Sequence, residues 1–291
     1  MQRNVTFHSD RLTISGIVET PKGLEPGERR PAFLVLHGFG SNKSSNNVRL
    51  PAAMLNALGY VTLRFDMRGC GESEGERGRL ICLEQVRDTQ AALSFMREQP
   101  DVVPDRIGVI GSSFGAAVAV YAGGVDERVG AVISSGGWGD GERKFRGQHP
   151  SPQAWKKFTD MLAEGKRHRA ATGQSLMVPR YDIVPIPEHL RGNLAAGSIE
   201  MFPAETAQSM YDFRADDVVG KMAPRPLLLL HSSLDSVTPT EQSVELFKRA
   251  GQPTDLHLFA ETDHFMFAEE NTRVRAVVTQ WLERFFPAKA G

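Results

Sequence analysis

The sequence predicts an α/β fold, a doubly wound and mostly parallel sheet with one inserted, mainly helical segment. Three observations carry this. Short unbroken apolar runs such as "AFLVLH" (32–37), "RIGVIG" (106–111) and "PLLLLH" (226–231) have the length and composition of strands buried on both faces. Amphipathic stretches of helical length separate them, so strand and helix alternate along the chain. Between residues 138 and 222 the alternation stops, and bulky apolar residues and prolines take its place.

Taken in order, "NVTFH" and "LTISGIVE" flank a Ser-Asp-Arg turn and read as an antiparallel hairpin. "AFLVLH" is the first buried strand, followed by a helix around 48–58 and, past Gly59, the strand "YVTLRFD" (60–66). A helix near 83–98 places Leu83, Val86, Leu93 and Met96 on one face and ends before Pro100. "RIGVIG" and "VGAVISS" (129–135) are the next two strands. After the 138–222 segment comes "PLLLLH", then a helix start signalled by Thr238 as N-cap, Pro239 at N1 and Glu241 as capping-box acid. The strand "TDLHLF" (254–259) and the helix "TRVRAVVTQWLERFF" close the chain. Residues 1–137 and 223–291 are therefore expected to form one core, with 138–222 inserted as a cap.

Composition limits the function. Thirty-four Lys and Arg against 35 Asp and Glu give a net charge of −1, without the basic surplus of a nucleic-acid binder. No stretch approaches the ~20 apolar residues of a membrane helix. The polar start "MQRNVTFHSDRLTISG" lacks a signal-peptide core. The two cysteines, Cys70 and Cys82, are too few for a disulfide scaffold and read as free thiols, so a cytoplasmic location is expected. Neither has a partner at metal-ligand spacing. No metal or organic cofactor is expected, and the sequence is silent on oligomeric state.

The chemistry centres on "GSSFG" (111–115), between a buried strand and the small-residue helix "AAVAVYAGG". A turn this sharp strains its central residue and displays it at the C-terminal edge of the sheet. The residues two before and two after the centre are forced together and must lack a Cβ. Centred on Ser113 they are Gly111 and Gly115; centred on Ser112 they would be Ile110 and Phe114, which collide. Ser113 is the candidate nucleophile.

A serine hydroxyl needs a base, and the base an orienting carboxylate. His264 follows the last strand on a connection returning to the Ser113 edge. His257 lies inside that strand and reads as structural, His37 as a loop support, and His149, His168 and His189 as solvated surface. Asp235, a few residues beyond "LLLLH", reaches the same edge; Asp263 and Asp140 are its rivals. The order Ser113, Asp235, His264 suits a triad on this type of sheet.

On these residues the chain resembles the α/β hydrolases over nearly all its length outside the insertion. "HGFGSNK" (37–43) resembles the family's oxyanion loop, and "FDMRGCGESEG" (65–75) its D-x-R-G-x-G-x-S segment. "GSSFG" resembles its nucleophile turn, "LDSVTP" its acid loop and "TDHF" its histidine loop. In "LLLLHSSLD", Ser232 and Ser233 stand where relatives often carry a glycine. The resemblance implies an oxyanion hole made by the backbone N–H groups of Phe39 and Phe114. Arg68 is read as tying loops together beneath the site. The basic stretch 143–169 is read as a solvated face, against the sharper reading of attracting anionic substrates. Trp138, Tyr181, Met201 and Phe202 are expected to roof a substrate pocket.

The expected function is a serine hydrolase (carboxylesterase) acting on a small-molecule ester through an acyl-enzyme. The alternatives are an amidase or peptidase, a carbon–carbon bond hydrolase, and a ligand-binding protein without turnover.

Overall fold

A computed structural model describes residues 1–267 and 271–289. Its strands are β1 (Gln2–Ser9), β2 (Leu12–Glu19), β3 (Arg30–Leu36), β4 (Val61–Phe65), β5 (Val102–Ser112), β6 (Val129–Ser135), β7 (Met177–Pro179), β8 (Met201–Pro203), β9 (Leu227–Ser232) and β10 (Thr254–Phe259). Its helices are α1 (Asn46–Ala57), α2 (Cys82–Arg97), α3 (Phe114–Val125), α4 (Gly141–Gln148), α5 (Pro152–Thr172), α6 (Arg180–Ile183), α7 (Ala204–Asp212), α8 (Glu241–Arg249) and α9 (Thr272–Phe285).

Eight strands form one sheet in the order β1-β2-β4-β3-β5-β6-β9-β10. β2 runs against both its neighbours, and the remaining pairs are parallel. The unbroken apolar runs follow from cover on both faces. Leu34 and Leu36 of β3 and Leu227 and Leu229 of β9 enter one core with α2 and α3, whereas Phe33, Val35, Leu228 and Leu230 enter another with α1 and α9. Period-two alternation thus buries every side chain instead of every other one.

Local signals account for some of the element ends. Ser151 caps α5 by accepting from Ala154 N–H, Pro152 opens it, and Gly173 at φ 72° closes it. Asn271 accepts from Val274 N–H at the start of α9. Two expectations need correction. Leu83 is exposed, because the buried face of α2 runs through Cys82, Val86, Leu93 and Met96. α8 begins at Glu241 rather than beside Thr238; a tight turn precedes it, with Gln242 N–H donating to Pro239 O at 3.0 Å.

The chain leaves the sheet after β6 and returns at the neighbouring β9. Asp140 and Arg214 pair across an isolated bridge, so the excursion proper lies between them. Residues 215–222 already pack on α3, where a Cβ on Gly124 would lie 2.5 Å from Val218 O. Within the excursion α4, α5 and α7 stack, and β7 pairs antiparallel with β8. That ribbon is only three residues per strand and gave no periodic signal. His149 is not solvated: it is buried, with its ring 4.7 Å from that of Phe158. Much of the basic stretch meets carboxylates, as in Lys156–Asp160, Lys157–Asp182, Arg167–Glu164 and Arg143–Asp216. Among the described residues no helix is long and apolar enough to cross a membrane.

Lys144 is the exception on α4. Its ammonium is buried, 3.8 Å from the Phe145 ring centroid and 3.0 Å from Gln148 Oε1, and burial pushes its pKa down to about 7. The unfolded chain holds this proton up to the ordinary lysine range, whereas the folded chain releases it near neutrality. Stability should therefore rise with pH from about 7 to about 10, by up to about 1.4 kcal/mol per pH unit for one proton. Urea unfolding at several pH values should show that rise in the wild type and a flatter profile in Lys144→Met.

Candidate active site

β5 carries the chain into the turn at Ser113, which takes φ 57° and ψ −115° before α3 begins. The backbone is strained there, and the glycines are needed. A Cβ on Gly111 would lie 2.1 Å from Gly115 O, and one on Gly115 would lie 2.6 Å from both Leu36 O and His37 O. Ser113 N–H donates to Ser135 O at 2.8 Å, tying the turn to β6. The Ser112 hydroxyl turns away to Asn47 O, 3.3 Å distant.

Three side chains from three sheet connections meet. Ser113 Oγ lies 2.8 Å from His264 Nε2, and His264 Nδ1 lies 2.8 Å from Asp235 Oδ2. An ionised carboxylate only accepts, so the imidazole proton sits on Nδ1 and leaves Nε2 to receive from the serine. Burial would raise the Asp235 carboxyl, but His264 beside it and hydrogen bonds from His231 and His264 hold it well below the usual carboxylate range. Its Oδ1 also accepts from Val237 N–H (2.8 Å) and Thr238 N–H (2.7 Å). Gly136 gives the imidazole room, since a Cβ there would sit 3.3 Å from the His264 ring.

The rival acids do other work. Asp263 accepts from Ser236 N–H (2.9 Å) and Ser236 Oγ (2.7 Å), lacing the acid loop to the histidine loop. Asp140 caps α4 by accepting from Arg143 N–H.

Phe114 opens α3, so its N–H precedes the helical ladder. Phe39 follows Gly38, whose Cβ position is 3.7 Å from that of Ser113. Among the described residues neither Phe39 N–H nor Phe114 N–H has a hydrogen-bond partner. The Phe39 loop is anchored by polar groups. Asp66 accepts from Lys43 N–H and Lys43 Nζ, both at 2.6 Å, and from Glu72 N–H at 2.9 Å. His37 Nε2 accepts from Met67 N–H at 3.1 Å. Arg68 ties the next loop to Asp88 (2.6 Å) and Ser9 (2.8 Å).

A cavity of about 40 Å³ adjoins Ser113 and His264, with Phe39, Asn47, Arg180, Ile186, Leu194 and Val237 among its lining. None of the four residues expected to roof it lines it. Trp138 is buried beneath, 5.7 Å from the Phe114 ring centroid. Phe202 stacks on the far side of Phe39 at 4.2 Å. Tyr181 and Met201 turn outward and are 36% and 44% exposed. Val184, Ile186 and Leu194 of the inserted segment line it instead.

Sequence reasoning also missed His231, Arg180 and the role of Lys43. His231 is fully buried; its Nε2–H donates to Thr238 O (3.0 Å) and lies 3.3 Å from Asp235 Oδ2, while its Nδ1 is 2.6 Å from the Ser243 hydroxyl. A histidine ending an apolar strand was its only signal. Among the described residues no cluster of His, Cys, Asp or Glu could hold a metal ion. Both cysteines are buried and free.

Fold and sequence agree on the class. The chain belongs to the Hydrolase_4 family, described as serine aminopeptidase, S33, which it matches over residues 27–271. It is an α/β hydrolase. Among its relatives, the acyltransferase drtE of Aspergillus calidoustus is 26% identical over 282 residues, covering 91% of this chain and 89% of that one. The thiohydrolase aneE of Aspergillus aculeatus is 26% identical over 262 residues, with 80% and 78% covered. The crystal structure of the hypothetical protein PA2218 of Pseudomonas aeruginosa superposes with a TM-score of 0.81 at 23% identity, covering 98% of this chain and 94% of that one.

Replacing His231 with Leu strands the Thr238 carbonyl and the Ser243 hydroxyl in a dry interior. The expected loss is about 1–3 kcal/mol of stability, measured by urea unfolding. An unchanged midpoint would show that the acid loop does not depend on His231.

Proposed function

We propose that the protein is a serine hydrolase of carboxylic esters, with Ser113 as nucleophile, His264 as general base and acid, and Asp235 as orienting carboxylate. The observation that carries this reading is the unbroken relay of two 2.8 Å contacts from Ser113 Oγ through His264 to Asp235. Ser113 Oγ attacks the ester carbonyl while His264 Nε2 takes its proton, and the same nitrogen returns the proton to the departing alkoxide. A water then attacks the acyl-enzyme, losing its proton to Nε2, which returns it to Ser113 Oγ as the bond to the acyl group breaks and the carboxylic acid departs. The N–H groups of Phe39 and Phe114 receive the negative charge that develops on the carbonyl oxygen; each such donor is worth roughly 10²–10³ in rate. No step calls on a metal or an organic cofactor.

The lining of the cavity favours an ester over the peptide of an aminopeptidase. Recognition of a substrate α-ammonium calls for an anion, and the lining among the described residues holds the Arg180 guanidinium and no Asp or Glu. Thioester hydrolysis is the second reading. It uses the same acyl-enzyme, and the names of the thiohydrolase and acyltransferase relatives favour it. Residues 138–222, as a cap over the site, would set the acyl and leaving-group limits. A cavity of about 40 Å³ is small beside the several hundred Å³ of an ordinary ligand pocket, so the acyl group must be small or the roof must yield.

Aryl esters with acyl chains from acetyl to dodecanoyl provide the test. The wild type should turn them over, with an optimum among the shortest chains, and Ser113→Ala should lose at least about 10³-fold in kcat. Absence of turnover by folded wild-type protein at every length would sink the ester reading, and the matching acyl thioesters would then decide the second.

Asp235→Asn should lower kcat by roughly 10³–10⁴-fold with the fold intact. Val237 and Thr238 N–H hold the amide oxygen, so the NH₂ faces His264 Nδ1 and drives the imidazole proton onto Nε2, where it blocks the serine. Because the Asp235 carboxyl lies so far below the usual range, it stays ionised through the assay range. The acidic limb of a pH–rate profile should therefore contain no second ionisation from it, which rate measurements down to pH 4 would reveal.

A further inference from the structure

We infer that Arg180, carried by the inserted segment, is a positioning residue for the oxyanion loop and makes that loop's geometry depend on the seating of the insertion. The inference rests on the serine-hydrolase reading, since it takes Phe39 N–H as an oxyanion donor.

Arg180 is 2% exposed, and each of its three guanidinium nitrogens donates to a main-chain carbonyl. Nη1 donates to Phe39 O at 2.8 Å and Nη2 to Gly40 O at 3.1 Å, while Nε reaches Ile199 O of its own segment at 2.8 Å. One planar group therefore joins two consecutive carbonyls of the oxyanion loop to the insertion. Fixing those carbonyls fixes the peptide planes that follow Phe39. His37 and Lys43 hold the two ends of the loop to Met67 and Asp66, so Arg180 secures the middle.

Independent contacts converge on the same joint. Ile199 N–H donates to Gly40 O at 2.8 Å. The Phe39 and Phe202 rings stack at 4.2 Å with 18° between planes, and the guanidinium carbon lies 5.3 Å from each ring. Gly40 leaves the space this requires: at φ 55°, its Cβ would sit 2.4 Å from the Phe202 ring and 2.8 Å from Arg180 Nη2.

Two features mark the arrangement as more than packing. Among the described residues no carboxylate lies within ion-pair distance of Arg180, and burying a guanidinium without one is costly. Arg180 also lines the cavity that holds Ser113. There a buried positive charge that no carboxylate pairs among the described residues favours the state in which the substrate oxygen becomes negative. Both effects act on the transition state more than on bound ester, so they should appear in kcat rather than KM.

The test compares wild type, Arg180→Met and Arg180→Lys well below their melting temperatures. Aryl-ester kcat and KM are measured beside the rate at which a fluorophosphonate labels Ser113, a reaction that also builds negative charge on an oxygen in the hole. Arg180→Met should slow turnover and labelling together by about tenfold to a hundredfold, less than the loss of a whole donor, with KM within about threefold. Arg180→Lys should recover part of both rates, since an ammonium restores the charge and reaches one carbonyl. Rates that stay at the wild-type level, or fall only as the folded fraction falls, would overturn the inference. Should Arg180→Met not fold, Phe202→Leu keeps the guanidinium and loosens the stack. A smaller loss of the same kind is expected there, and wild-type rates would overturn the proposal. If the wild type is labelled at Ser113 yet hydrolyses no ester, the ester reading fails, and the labelling rates still decide Arg180. If the wild type is not labelled, both fall.

Discussion

The close approach of Gly111 to Gly115 governs the rest of the molecule. Ser113 sits at a positive φ, a conformation that costs on the order of 1–3 kcal/mol for a residue with a side chain. That strain persists because β5 is gripped between β3 and β6 on one side of the turn and α3 is sunk into the core on the other. The small residues of α3 follow from the same demand. The helix starts immediately after the turn, and its glycines mark where it approaches the sheet closely: a Cβ on Gly115 would lie 2.6 Å from Leu36 O and one on Gly123 2.8 Å from the Val132 side chain. Sheet order, helix composition and the exposure of one hydroxyl are a single steric solution.

Around that turn the loops are held by polar groups that find partners within the protein. Asp66 gathers Lys43 and Glu72, and Asp235 gathers two backbone amides and two imidazoles. Asp263 stitches the loop bearing the acid to the loop bearing the histidine. The amino-terminal hairpin takes part as well, with Ser15 N–H donating to Ser73 Oγ at 2.8 Å and Thr13 N–H to Glu74. Connections that would otherwise be mobile are thereby given the rigidity of the sheet. The D-x-R-G-x-G-x-S segment is explained in these terms. Gly71 at φ 49° leaves the space occupied by the Asp66 carboxylate, and Ser73 Oγ donates to Asp66 O at 2.6 Å.

The core was legible because its rules are local. Apolar runs, glycines two residues either side of a serine, and histidine and aspartate just beyond strand ends each carry a steric or topological meaning. Legibility failed where the partner is remote in sequence. Leu83 matched the helical period by count yet falls beside the buried stripe, and Thr238 resembled a cap but precedes a tighter turn. Trp138 and Phe202 have the composition of a pocket wall but pack behind the two phenylalanines that adjoin the serine. Arg180 carried no signal at all. A lone arginine in an irregular segment means nothing until the fold sets it against a loop 140 positions away.

The excursion between β6 and β9 leaves and re-enters through one narrow gate, where Asp140 faces Arg214 and Gly141 N–H donates to Phe213 O at 3.0 Å. The entropic cost of closing a segment across so short a gap grows only slowly, by about 0.6 kcal/mol for each doubling of its length. Segments of very different size can therefore be exchanged at this point over evolutionary time, while the sheet keeps its strand order and the serine its turn. The exchange is not fully modular, however. A newcomer would have to supply its own grip on the middle of the Phe39 loop, so the most replaceable part of the chain is also coupled to its least replaceable geometry.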